Sequence, residues 1–207
     1  MKLYDTPMAP NPRRVRWVMA EKDVTDVEIV PLSLMQGEHK QAAFLQKAGL
    51  PLLPALELED GRVITESIAI CRYLESRHPE PNLFGRDPEE TAEIEMWMRR
   101  AELLVAMPTM QWVRHTAAPL AALETPNPAV AAYQRDRAME GLKLLDDHLA
   151  GRAWLAANRL TIADIVAFIG VDFARLIRFR PPAELANLAR WAETMRARPA
   201  AKAGAAA

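Results

Sequence analysis

The hydrophobic period changes once along this chain, and that change limits it to an α/β segment followed by an all-helical one. Residues 1 to about 78 mix the two-residue period of strands with the 3.6-residue period of helices, whereas everything from about 88 onward keeps the helical period alone. Between them, His78-Pro79-Glu80-Pro81-Asn82-Leu83-Phe84-Gly85 is rich in residues that cannot continue a helix. The expected organisation is residues 1–78 as one domain, 79–88 as a linker and 89–207 as a second domain.

In the first part, Lys2-Leu3-Tyr4-Asp5 and Val27-Glu28-Ile29-Val30-Pro31 read as strands. Pro54 to Leu58, the turn Asp60-Gly61 and Arg62-Val63-Ile64 read as a hairpin. A helix separates the first two strands, with Asn11 as its N-cap, Pro12 at its first position, and Val15, Val18, Met19 and Lys22 at helical spacing. A second helix is expected from about Glu38 to Gln46, and a third from Ser67 to about Arg77. The resulting order, βαβαββα, is that of a thioredoxin-like domain.

In the second part, Ile94, Trp97, Met98, Ala101, Leu104 and Val105 form one stripe of a long helix that Pro108 should bend or interrupt. Pro119, Pro126 and Pro128 punctuate a loop. Ala138, Leu142, Leu145 and Leu149 mark a further helix, with Gly151 as its stop. Thr161 and Asp164 form an N-terminal capping pair before a helix apolar nearly all round, which is expected to be the central buried one. A last helix is expected from about Pro182, and residues 200–207 read as a low-information tail.

With 26 basic against 27 acidic residues the net charge is −1, so no clustered positive field argues for nucleic acid or an anionic membrane. The N-terminus has no apolar signal core, and no run approaches the length of a membrane span. One cysteine, Cys71, forms neither an internal disulfide nor a thiolate metal cluster, so the expectations are a cytoplasmic location and no metal.

Leu53-Pro54-Ala55-Leu56, with Asp60-Gly61 and Glu66-Ser67-Ile68-Ala69-Ile70 after it, resembles the glutathione-binding half of cytosolic glutathione transferases. Leu160-Thr161-Ile162-Ala163-Asp164 resembles the capping motif of their helical domain. Independently of the family, a cis-proline at Pro54 would turn the N–H and C=O of Leu53 outward to pair with a peptide-like ligand. Glu66 and Ser67 would open a helix whose free N–H groups and dipole favour a carboxylate. The resemblance implies that Glu66 and Ser67 grip the γ-glutamyl end of glutathione and that Leu53 pairs with its cysteinyl backbone. Lys40 and Gln36 are candidate contacts for the glycine end.

The resemblance also implies a thiolate-stabilising hydroxyl or thiol near the start of the first helix, but the place where many bacterial relatives carry serine is Ala9. Tyr4 lies within its strand and Thr6 sits early. Asn11 either donates an amide hydrogen bond to the sulfur or simply caps the helix. The stretch Asp5-Thr6-Pro7 with Ala9-Pro10 is similar to an atypical fungal and bacterial subgroup in which a histidine and a serine of the helical domain hold a water against the thiolate. His115 matches the histidine region, but only Thr116 and alanines follow it where a serine would stand. The other histidines, His39, His78 and His148, read as surface groups, Cys71 as helix filler, and the cluster Arg13, Arg14, Arg16 as a solvated face.

A hydrophobic second substrate is expected among Met8, Ala9, Met107, Gln111, Trp112 and His115. The implied activity is conjugation of glutathione, as co-substrate, to hydrophobic electrophiles in detoxification by a homodimer. The residues alone leave open a glutathione-dependent peroxidase, isomerase or dehalogenase, and a non-catalytic binder.

Overall fold

A computed structural model describes residues 1–203, which divide into two compact units, residues 1–81 with the C-terminal residues from 199, and residues 82–198. The last residues of the expected tail, 204–207, lie outside those described.

In the first unit the strands are β1 (Lys2–Asp5), β2 (Glu28–Pro31), β3 (Ala55–Glu57) and β4 (Val63–Thr65). They form one sheet in the order β2-β1-β3-β4, with β1 and β2 parallel and β3 antiparallel to both β1 and β4. The helices are α1 (Pro10–Glu21), α2 (Ala42–Ala48) and α3 (Ser67–Arg77), so the expected βαβαββα order is present. The second helix is shorter than expected. Glu38–Lys40 forms a separate 3-10 turn, because Gln41 is extended (φ −70°, ψ 146°) and starts α2 afresh.

Parallel register between α1 and α3 organises the core. Arg14, Val18 and Lys22 lie on one stripe of α1, and Ser67, Cys71 and Glu75 repeat at the same spacing on α3. Arg14 donates to Ser67 Oγ at 3.3 Å, and Lys22 Nζ sits 2.6 Å from Glu75 Oε2. The fully buried Lys22 ammonium also donates to His78 O at 2.7 Å and Pro81 O at 2.8 Å, so two carbonyls and a carboxylate surround the buried charge. The arginine cluster is therefore not a solvated face. Arg14 is buried, Arg16 pairs with Asp5, and Arg13 donates to Ala201 O at 3.1 Å. That last bond fastens the 3-10 turn Pro199–Lys202, whose Ala200 and Ala201 are buried, so this part of the expected tail is structured.

The second unit comprises α4 (Pro88–Arg100), a π-helical segment (Ala101–Ala106), α5 (Met107–Arg114), α6 (Pro128–His148), α7 (Ile162–Phe173) and α8 (Ala186–Ala197). Pro108 does not interrupt the helical path, since the wider π turn directly precedes it. Proline offers no N–H to the carbonyl four residues back, that of Leu104, and this carbonyl lies against Gly141 of α6. A Cβ at position 141 would stand 2.0 Å from Leu104 O, and one at Gly170 of α7 would stand 2.7 Å from Ala106 Cα. Gly141→Ala is expected to lower stability by about 3 kcal/mol, since backbone rather than a movable side chain blocks the methyl, and urea unfolding would read the loss.

Helix α7 is buried along nearly its whole length, as its sequence implies. The capping pair is present, with Asp164 Oδ2 accepting from Thr161 N at 3.1 Å and from Thr161 Oγ1 at 3.0 Å. Its other oxygen accepts from Leu155 N and from Trp191 Nε1, each at 3.0 Å, tying a loop and α8 to the same carboxylate. The last helix begins at Ala186 rather than near Pro182, because its N-terminal cap comes from α6: Asp146 Oδ1 accepts from Leu188 N at 2.8 Å. Two histidines read as surface groups are not. His39 is buried, and His148 stacks on Trp97 with ring centroids 3.6 Å apart while its Nε2 lies 2.9 Å from Leu155 O.

Candidate functional site

Strand register alone gathers most of the expected glutathione contacts at one end of the sheet. Ala55 pairs with Thr65, so Pro54 and Leu53, running backward from β3, leave the sheet at the end where Glu66 and Ser67 leave β4. Tyr4 also pairs with Ala55, so the end of β1, and with it Met8, Ala9 and Asn11, lies there as well. Strand β2 runs parallel to β1 and delivers Gln36 and Lys40, both exposed, at that end too.

The Leu53–Pro54 bond is cis. Leu53 stands outside the β3 ladder, and among the described residues no backbone partner is found for it. Pro54 is buried, which holds that presentation in place. Glu66 has φ 67° and ψ 119°, a sparsely populated conformation for a residue with a Cβ. The turn leaves Glu66 exposed at the N-terminus of α3 while Ser67 is buried beneath it. Free N–H groups, a buried hydroxyl and an exposed carboxylate thus meet within two residues. That set can receive the carboxylate and the ammonium of one amino-acid terminus together.

At the start of α1 the expected geometry differs. Ala9, not Asn11, is the N-cap residue, and its methyl offers no hydrogen bond. Asn11 is the second residue of the helix, with its Oδ1 buried and without a partner among the described residues. Of the four N-terminal positions that normally present free N–H groups, Pro10 and Pro12 have none, so the positive end of α1 is weaker than the sequence suggests. Met8 adopts φ 67° and is 58% exposed. Tyr4 is committed elsewhere, its hydroxyl donating to Glu57 at 2.5 Å in a cluster completed by Lys47. Burial first, and Glu57 second, raise its pKa. Cys71 is wholly buried, and burial pushes its thiol up to about 12, which makes it inert.

In the helical unit, Met107 and Gln111 line a hollow of about 200 Å³ with Leu103, Pro108, Tyr133, Gln134 and Arg137. The sequence reading missed the α6 residues of this wall, although Tyr133 and Leu103 are large, apolar and exposed at compatible spacings. Trp112 packs its ring edge-on against Phe179 at 4.8 Å. His115 ends α5 with its side chain only 9% exposed, its Nε2 3.8 Å from Glu124 Oε1 and its Nδ1 buried without a partner among the described residues. Among the described residues no helix is long and apolar enough to cross a membrane, and no cluster of three potential ligands could hold a metal ion.

A four-stranded thioredoxin-like unit with a Leu–cis-Pro edge outside the β3 ladder beside a serine-opened helix, joined in sequence to a helical unit, defines a class of thiol-tripeptide enzymes. Family models agree: that described as Glutathione S-transferase, N-terminal domain, matches residues 3–82, and that described as Glutathione S-transferase, C-terminal domain, matches residues 105–199. The chain is 35% identical to Glutathione S-transferase 2 of Saccharomyces cerevisiae, over 98% of its own length and 88% of the relative's. Among solved structures, a glutathione S-transferase domain-containing protein of Marinobacter aquaeolei shares 37% identity at a TM-score of 0.91, covering 97% of this chain and 99% of that one. A glutathione S-transferase of class Gtt2 from Vibrio parahaemolyticus shares 32% identity at a TM-score of 0.85, covering 99% and 96%. The chain belongs to the glutathione S-transferase family.

Proposed function

We propose that the chain adds the thiolate of glutathione to hydrophobic electrophiles. In this reading Leu53, presented by Pro54, pairs with the cysteinyl backbone, Glu66 and Ser67 take the γ-glutamyl end, and Lys40 with Gln36 meets the glycine carboxylate. Met8, Ala9, Met107, Gln111 and Trp112 receive the electrophile. The thiolate falls to His115, with Asn11 as a second donor. The observation that carries the reading is the convergence of an unpaired Leu53 backbone and the strained Glu66-Ser67 helix start at one sheet end. The proposed setting is a cytoplasmic homodimer in detoxification, joined through the faces of residues 67–77 and 93–105.

Two measurements test it together. The protein is expected to be retained on glutathione-agarose and to turn over a chlorodinitrobenzene. Ser67→Ala is expected to weaken glutathione binding about tenfold, the size of one hydrogen bond to a charged group. Absence of any affinity at millimolar glutathione would end the proposal. Retention without turnover would favour a second reading, a glutathione-binding protein without transferase activity. The methyl of Ala9 at the head of α1 favours that alternative.

A further inference from the structure

Arg14 is 2% exposed in a helix whose other buried side chains, Pro12, Val15, Trp17, Val18 and Met19, are apolar, and the proposed glutathione contacts do not include it. Burying a guanidinium is costly unless its donors are matched. One of its donors reaches Ser67 Oγ at 3.3 Å. A serine hydroxyl accepts through its lone pairs and donates through one hydrogen, so a donor arriving at the oxygen turns that hydrogen away from itself. Ser67 opens an eleven-residue helix, is 5% exposed, and among the described residues no acceptor takes its O–H. The hydroxyl hydrogen is thus oriented and uncommitted where the free N–H groups of α3 stand.

We propose that Arg14 is a positioning residue for carboxylate recognition: by donating to Ser67 Oγ it holds the serine O–H as a donor for the ligand's α-carboxylate at the start of α3. The proposal rests on the glutathione reading and deepens it. It makes this end of the site selective for a ligand with a free carboxylate there, since a neutral end would leave the oriented serine donor unanswered. The link is indirect, because Arg14 lies behind the serine. A lysine at this position keeps the charge and one donor, whereas methionine keeps the bulk alone.

The test is a double-mutant cycle on the full chain, with dissociation constants measured calorimetrically for glutathione and for cysteinylglycine, which lacks the γ-glutamyl carboxylate. Arg14→Met is expected to weaken glutathione about tenfold and to leave cysteinylglycine within about twofold. Arg14→Lys is expected to recover most of the loss. Arg14→Met/Ser67→Ala is expected to bind glutathione no more weakly than Ser67→Ala within about twofold, because both changes remove one interaction. A purely structural role for Arg14 would weaken both ligands equally, or give additive losses in the cycle, and either result overturns the proposal. Where Arg14→Met fails to fold, Arg14→Lys and Arg14→Gln close the same cycle. Wild-type protein that binds no glutathione would instead overturn the parent reading.

Discussion

Asp164→Ala is expected to remove most of the stability of the helical unit, about 3–9 kcal/mol, and to do so without touching the proposed glutathione contacts. The side chain is fully buried and accepts from Leu155 N, Thr161 N, Thr161 Oγ1 and Trp191 Nε1. The threonine hydroxyl can rotate to another acceptor. The three N–H groups cannot, and each buried unsatisfied donor costs about 1–3 kcal/mol against a typical total of about 5–15. Burial pushes the Asp164 carboxyl up to about 6 from its ordinary 3.8. Between those values the folded chain holds a proton that the unfolded chain has released. The stability this group confers is therefore full below about pH 4, declines as pH rises through about 6, and is constant above. Denaturant unfolding followed by circular dichroism should show a wider gap between wild type and Asp164→Ala near pH 4.5 than near pH 7.5, and a gap that narrows toward low pH would contradict this account.

The elements read correctly from sequence were those specified by a few neighbouring residues. The Thr161–Asp164 cap spans four residues, the β3–β4 hairpin turns on Asp60-Gly61, and Ser67 follows its strand after Glu66 alone, so each local signal coincides with the tertiary outcome. The N-terminus of α1 was misplaced because Asn11 is a better cap by propensity than Ala9, yet Pro10 already fits the first helical turn and starts the helix two residues earlier. The burial of Arg14 was missed because three arginines in four residues resemble a wetted face. The signal was present one step further out: Arg14, Val18 and Lys22 repeat the spacing of Ser67, Cys71 and Glu75, which pairs cations with a hydroxyl and a carboxylate across parallel helices. No such pattern exposes the stacking of His148 on Trp97, or the fit of the Leu104 carbonyl to Gly141, because each depends on which helix faces become neighbours. An unexplained glycine in the middle of α6 was the one hint of the latter. On the site, the residues proposed to face glutathione could be placed from sequence because they lie at strand ends, while the α6 side of the hollow came only with the packing of α5 on α6.

His115→Ala is expected to lower kcat/KM about thirtyfold at pH 7 while leaving glutathione affinity within about twofold. In the proposed role His115, whose Nδ1 is buried and without a partner among the described residues, takes the thiol proton directly or through one water. A free thiol titrating near 8.5 is only about 3% thiolate at pH 7, which sets the size of the benefit. The loss should therefore shrink severalfold for each unit of pH until the thiol ionises unaided, reaching about twofold near pH 8.5. Affinity is expected to hold because Leu53, Glu66 and Ser67, to which the proposal assigns the tripeptide, belong to the other unit of the chain. A pH profile of kcat/KM distinguishes this from its competitors: a loss that is constant from pH 6.5 to 9.5 would mean that His115 supports structure or substrate placement, and a loss confined to KM for glutathione would move it out of the chemistry altogether.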